Sequence, residues 1–332
     1  MNKLEMRLVL TLTVVLMLLA TRVRADPVTR VVLQGTTYDI VATTDPLAAV
    51  TFTLDGQSYT LLRVALTASP ATRPATLPTT IPATRPAAPI RPSPATAGVP
   101  AGIVLSPAAA NTIKPNCRYD GLSFAGTLTV NLAKGQTVTL RNCRIDAAGA
   151  PFAVRCDRNV GKLVIDHCEI RNATSAAIYG RNFDATANYV HRIGGDGFKP
   201  ITAALIQGNY VAELGWNNPT AHADGVQISG GSDIRIVGNF FNLPLDVPNT
   251  KCNAVLFLQY AAQDVVFDSN WCAGGNFAVH AYADGGGNSS IRITNNTFIT
   301  KSTRYGFGSI STGVVWSGNV NETGNSVSNK DK

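Results

Sequence analysis

Two short stretches share one pattern. HADGVQISGG (His222–Gly231) and GGDGFKP (Gly194–Pro200) each place Asp-Gly before an apolar residue and then a long polar one. The echo sets Asp196 with Lys199, and Asp224 with Gln227, at matched positions. Asp-Gly is a favoured turn pair, so one reading is a single turn used twice. The other reading is a site. Two carboxylates brought together raise a pKa or demand a cation, and oxygen ligands of this kind could hold Ca²⁺, which makes Asp196 and Asp224 the candidate metal ligands. Lys199 is then a candidate proton-abstracting base, with His222 and His280 as alternative acids or bases. The insertion GWNNPTAHA between the two stretches carries Trp216 and Asn217. These, with Gln227 and the loop residue Tyr260, are candidate sugar contacts; Tyr282 is a weaker one.

A repeat must bring these residues together. TLRNCRI, VIDHCEI, ATANYVHRI, LIQGNYV, IRIVGNFF, VVFDSNWC, IRITNNTF and VVWSGNV share one frame, in which apolar residues flank a polar pair ending in Asn or Cys. The markers are Cys143, Cys168, Asn188, Asn209, Asn239, Asn270, Asn296 and Asn319. A fixed core with elastic gaps implies one structural unit per repeat. Each unit reads as short alternating strands joined by Gly, Asn and Asp, with no helical period. Such coils stack as a parallel β-solenoid, each adding a strand about 4.8 Å from the last. The marker asparagines then form a ladder at one corner.

A second strand follows each marker: FAVRC, AAIYG, DGFKP, DGVQI, NAVLF and FAVHA. Alignment sends Phe198, Val226, Val255 and Val279 inward. Lys199, Gln227, Leu256 and His280 face outward in one row, with Arg155 and Tyr179 further along. Asp196, Asp224 and Asn253 lie over one another, the carboxylates about 5 Å apart. The loop 215–223 would overhang this row as a cleft wall.

The rest of the chain supplies the setting. MNKLEMR, the apolar run Leu8–Thr21 and Val23–Ala25 read as a secretory signal peptide over residues 1–25. Residues 26–66 alternate like a small β module. Residues 67–100 are a linker with prolines at 70, 74, 78, 82 and 86, which favours polyproline II. The solenoid spans 101–326, and 327–332 are expected as a disordered tail. The formal charge is +7, without basic runs, and Lys3, Arg7, Arg22 and Arg24 fall in the leader. That argues against nucleic acid as partner and is compatible with an acidic polysaccharide. No later segment would cross a membrane. Six cysteines without a CxxC pair allow fifteen disulfide pairings, or simply buried thiols.

From Ala97–Leu105 through TLRNCRI, HADGVQISGGSDIRIVGN and NWCAGGNFAVHAY to VVWSGNV, the chain resembles exported bacterial right-handed parallel β-helix proteins of the pectate-lyase-like superfamily. The resemblance implies an all-β, right-handed parallel β-helix and an extracellular setting. Relatives in that superfamily bind or cleave acidic polysaccharides. The NTD, DD, GHG and RIK motifs of pectin hydrolases are absent, and Gln227 stands one coil on from Lys199 where a lyase would offer arginine. The expectation is therefore a secreted or cell-surface monomer that binds polysaccharide, without catalysis, along an outward ladder on one face. The alternative is a lyase cleaving a uronic-acid polymer by β-elimination.

Overall fold

The computed structural model describes residues 90–281 and 289–332 in full, and the backbone of four earlier strands. The chain divides into two units, Met1–Ala83 and Thr84–Lys332. In the first, Val28–Leu33 pairs antiparallel with Thr36–Val41, and Val50–Leu54 with Gln57–Leu61. The expected leader, most of the proline-rich linker and Tyr282 lie outside the described residues. No helix of the described residues is long and apolar enough to cross a membrane.

The second unit is a parallel β-helix with three faces. Face A stacks Leu128–Thr129, Phe152–Cys156, the first halves of Ala176–Thr186 and Asp196–Gln207, then Ala223–Ser229, Cys252–Gln259, Phe277–Ala281 and Gly306–Ile310. The two long strands bend into face B, which continues through Ser232–Val237, Gln263–Asp268, Ser289–Thr294 and Val315–Ser317. Face C runs from Ser106–Pro107 to Val320–Asn321 through Tyr189–His191, Tyr210–Ala212, Phe240–Leu243 and Trp271–Gly274. Inward residues fill the bore: Phe183, Phe198, Val226, Ile236, Phe241 and Phe267 are all fully buried. Each such side chain contributes about 1.5–3 kcal/mol on burial.

The corners explain the repeat's polar pair. The residue before each marker adopts the left-handed conformation: Asn142, His167, Ala187, Gly208, Gly238, Ser269, Asn295 and Gly318 have φ between 50° and 65°. That single residue turns the chain from face B to face C. The marker then points inward and is buried. Asn209 shows the bonding. Its Oδ1 accepts from the amide and Nδ2 of Asn188 at 2.8 and 3.0 Å, and its Nδ2 donates to Ala185 O and to Asn239 Oδ1, both at 2.9 Å. The pattern holds through Asn239, Asn270, Asn296 and Asn319. At the near end the Cys143 amide donates to Cys168 Sγ at 3.4 Å, a weaker rung. All six cysteines are free thiols, five of them buried.

Both flanking segments depart from expectation. The end of the linker is not a free spacer. Ala97 packs with Tyr210 and Ala212 on face C, the Gly98 amide donates to Ala187 O at 2.8 Å, and the Arg91 guanidinium lies 4.8 Å from the Phe240 ring centre. Residues 327–332, expected as a disordered tail, cap the last coil. The Phe307 amide donates to Asp331 O at 2.8 Å and the Gly308 amide to Asn329 O at 2.9 Å, while Val327 packs against the core. The physical reason is the same at both places: an exposed sheet face or edge takes whatever chain can cover it.

Candidate functional site

The site lies at the corner where the chain enters face A. Phe198 pairs with Val226, so Lys199 and Gln227 do stand in one outward column. The next coil differs from the sequence alignment by one residue. A register shift after Ala223 pairs Asp224 with Ala254 and leaves Asn253 as an extra residue. Val226 therefore pairs with Leu256, which is fully buried, and Gln227 pairs with Phe257. His280 follows Phe257 in register. The outward column is thus Lys199, Gln227, Phe257, His280, with Tyr179 and Arg155 on the preceding coils.

Asp-Gly is not a turn here. Asp196 opens the strand Asp196–Gln207, and Asp224 lies within Ala223–Ser229. Neither Gly197 nor Gly225 has a positive φ. Their role is close approach: a Cβ on Gly197 would lie 2.6 Å from Gly225 O, and one on Gly225 2.5 Å from Val255 O and 2.7 Å from the Phe241 ring.

The aspartates form a second ladder. Asp196 Oδ1 accepts the Asp224 amide at 2.8 Å, and Asp224 Oδ1 accepts Asn253 Nδ2 at 2.9 Å. The Asn276 amide then donates to Asn253 O at 2.7 Å. The remaining oxygens meet cations. Lys199 Nζ is 3.0 Å from Asp196 Oδ2, and His222 Nδ1 is 3.5 Å from Asp224 Oδ2. Asp224 is wholly buried, and its Oδ2 makes no hydrogen bond. The His222 side chain is 60% exposed.

Electrostatics follow from this geometry. Burial, and then the charge of Asp224, push the Asp196 carboxyl up to about 6 against the pull of Lys199. Burial also raises Asp224, opposed by His222 and Asn253. The Asp224 carboxylate beside it raises His222. Burial, and then the charge of His222, lower His280. An exposed imidazole held by a buried carboxylate is oriented and made more basic, which suits either anion binding or proton transfer.

A Ca²⁺ ion does not suit Asp196 and Asp224. Their oxygens already face an amide, a lysine, an asparagine and a histidine, and no group of three metal-ligating side chains occurs among the described residues. Hard cations want six or more oxygens.

Other expected contacts lie elsewhere. The 215–223 loop is tied to its neighbours at its start and brings His222 against the column at its end. The Trp216 amide donates to Ile193 O at 2.9 Å, Asn218 Nδ2 to Gly194 O at 3.1 Å, and the Asn217 amide to Asn249 O at 2.8 Å. The Trp216 ring lies under the Arg192 guanidinium at 5.5 Å. Asn217 is exposed in this loop, lining a hollow with Pro219 and Asn249. Tyr260 is exposed at the far end of its strand, six residues beyond Ala254 and so about 20 Å from the carboxylates.

The structure adds residues that the alignment missed. The Phe257 ring meets His222 at 5.3 Å and His280 at 5.6 Å. Phe277 meets His280 at 4.8 Å and Tyr305 at 5.4 Å. Counting Asn253 as an inserted residue would have found Phe257; nothing in the sequence marks that bulge. The chain matches no family model, no curated protein and no solved structure.

Proposed function

We propose that face A is the polysaccharide-binding surface of a secreted β-helix protein, and that its ligand is acidic. One observation carries this reading: Lys199, Gln227, Phe257 and His280 stand in a single outward column with His222 against the Phe257 ring. Phe257 is only 7% exposed and backs the His222 and His280 rings, so the exposed ring of Tyr305 beside Phe277 is the one that suits the C–H surface of a sugar. The Gln227 amide suits its hydroxyls, and Lys199 and His222 suit its carboxylates. The resemblance to the pectate-lyase-like superfamily, the leader-like first residues and the mild positive charge point the same way. A proline-rich spacer and a small β module fit a protein that displays its β-helix outside the cell.

A second reading is favoured by the Asp224–His222 contact. His222 would take the C5 proton of a uronate whose carboxylate Lys199 neutralises. The C5–H electron pair would form the C4=C5 double bond, and the C4–O pair would leave with the departing oxygen. That oxygen would take a proton from the His222 imidazolium or from water.

Affinity electrophoresis in gels containing polygalacturonate, alginate or a neutral glucan separates these ideas from failure. Retardation by an acidic polymer, lost in the Lys199→Ala/Phe257→Ala double variant, is expected. No retardation by any acidic polymer, or equal retardation of the variant, would sink the binding site. Ultraviolet absorbance from an unsaturated product would establish the lyase.

A further inference from the structure

We infer that a cavity at the corner between faces C and A is a second binding site, which takes one uncharged sugar residue. It encloses about 210 Å³ and is lined by Tyr189, Tyr210, Glu213, Asn242, Val247 and Thr250 among others. Pockets for larger ligands begin near about 300 Å³, so this one holds a single ring.

The fold builds the cavity from three coils. Tyr189 and Tyr210 are partners in face C, with ring centres 5.4 Å apart. Asn242 stands on the next coil and donates from Nδ2 to the Tyr210 hydroxyl at 2.8 Å. The segment that follows, through Val247 to Thr250, closes the outer wall. Ala97 already covers part of the tyrosine column. What remains of it faces the cavity.

The wall chemistry selects the ligand. Glu213 Oε2 lies 3.5 Å from both His191 Nδ1 and Arg192 Nε. These contacts offset part of the carboxylate's charge but are too long to occupy its lone pairs. Glu213 can therefore accept from hydroxyls. Asn242 retains its carbonyl oxygen and one amide hydrogen, a donor and an acceptor side by side. Pro244 and Val247, with the free edge of Tyr189, offer an apolar surface to the C–H face of a pyranose, while Tyr210 is buried behind them and Tyr189 stacks on His191 at 4.1 Å. An anion would meet the Glu213 carboxylate, and an ammonium would compete with Arg192 for it. An uncharged polyhydroxylated ring meets neither objection. Its lining shares no residue with the Lys199 column.

Saturation-transfer NMR with neutral hexasaccharides of glucose, xylose, mannose and galactose tests the proposal, with trigalacturonate as the acidic comparison. At least one neutral sugar is expected to bind saturably. Its Kd should rise about tenfold or more in Glu213→Gln and in Asn242→Ala, and stay unchanged in Lys199→Ala. Tyr210→Phe, which removes only a hydroxyl, should weaken binding less. Circular dichroism melts confirm that each variant is folded; Glu213→Gln, of equal size, carries the test if Asn242→Ala unfolds. Absence of binding by all four neutral sugars at millimolar concentration overturns the site. So does binding that survives Glu213→Gln but is lost in Lys199→Ala.

Discussion

The main-chain amide of Asp224 donates to Oδ1 of Asp196 at 2.8 Å, one coil away. One carboxylate thus anchors the strand that carries the other, and both are held out of water with Lys199 and His222 at the surface.

That arrangement predicts how stability depends on pH. The folded protein holds the Asp196 proton more tightly than the unfolded chain does, with a pKa of about 6 against 3.8. Unfolding therefore releases a proton in that window, and stability falls as pH rises through it, by on the order of 3 kcal/mol at most. His222, whose folded pKa is raised, acts in the same direction: its contribution is present below the unfolded value of 6.5 and is lost as pH climbs through the folded one. Glu169 opposes them. His191 and Arg144 hold it down to about 2, so its contribution is lost as pH falls from 4.5 toward that value. Calorimetry from pH 3 to 8 should place the maximum Tm in the mildly acidic range, with Asp196→Asn flattening the fall above it. A wild-type Tm that climbs steadily from acid to neutral would contradict this account.

Gly225→Ala should cost several kcal/mol or prevent folding, because its Cβ would press on Val255 O and the Phe241 ring. Gly149→Ala, at φ 83° with open space around it, should cost only about 1 kcal/mol. Urea denaturation of the two variants makes the comparison. Equal midpoints would mean that Asp-Gly is chosen for something other than close approach.

Asn239→Ala removes an oxygen that accepts from the amide and Nδ2 of Asn209, and an amide that donates to Ile206 O and Asn270 Oδ1. Orphaning these buried groups should cost about 3–5 kcal/mol. Cys168→Asn, which extends the ladder by one rung, should instead leave stability within about 1 kcal/mol of wild type or raise it. Comparable losses in both variants would argue against the ladder as a stabilising unit.

Binding of polygalacturonate should weaken as pH rises through the folded pKa of His222, because the imidazole then loses its charge. In His222→Gln that dependence should vanish while residual binding through Lys199 persists. Isothermal titration at constant ionic strength, to hold screening fixed, reads both. An unchanged pH profile in the variant would remove His222 from the surface.

Deleting residues 325–332 should lower Tm and promote self-association, since it bares the amides of Phe307 and Gly308 and uncovers Trp316, whose Nε1 donates to Val327 O at 3.0 Å. Light scattering and a melt suffice to check it. A monomeric truncation with the wild-type Tm would show the cap to be dispensable.

The solenoid was legible because its corner uses one residue type. Asn satisfies the turn above and the coil below, so the markers recur even where loops lengthen. The Lys199–Gln227 column followed from that frame. What failed did so for local reasons. The bulge at Asn253 adds one residue without changing the local composition, and it exchanges Leu256 for Phe257 on the outer face. Asp-Gly was legible as a pair with structural meaning, but turn chemistry and close backbone approach both favour glycine, and only the packing of adjacent coils separates them. The docking of Ala97 and Arg91 was hidden because proline-rich composition describes a free chain and says nothing of what that chain covers.

Every rung of the asparagine column hands its hydrogen bonds forward in the same sense, from amide and Nδ2 to the next Oδ1. Each rung therefore recognises only its immediate neighbour and carries no information about its distance from either terminus. A duplicated or excised turn would rejoin without a mismatch at this corner. The protein's length is in that sense a free variable, adjustable in whole coils while the machinery on the outer faces changes independently.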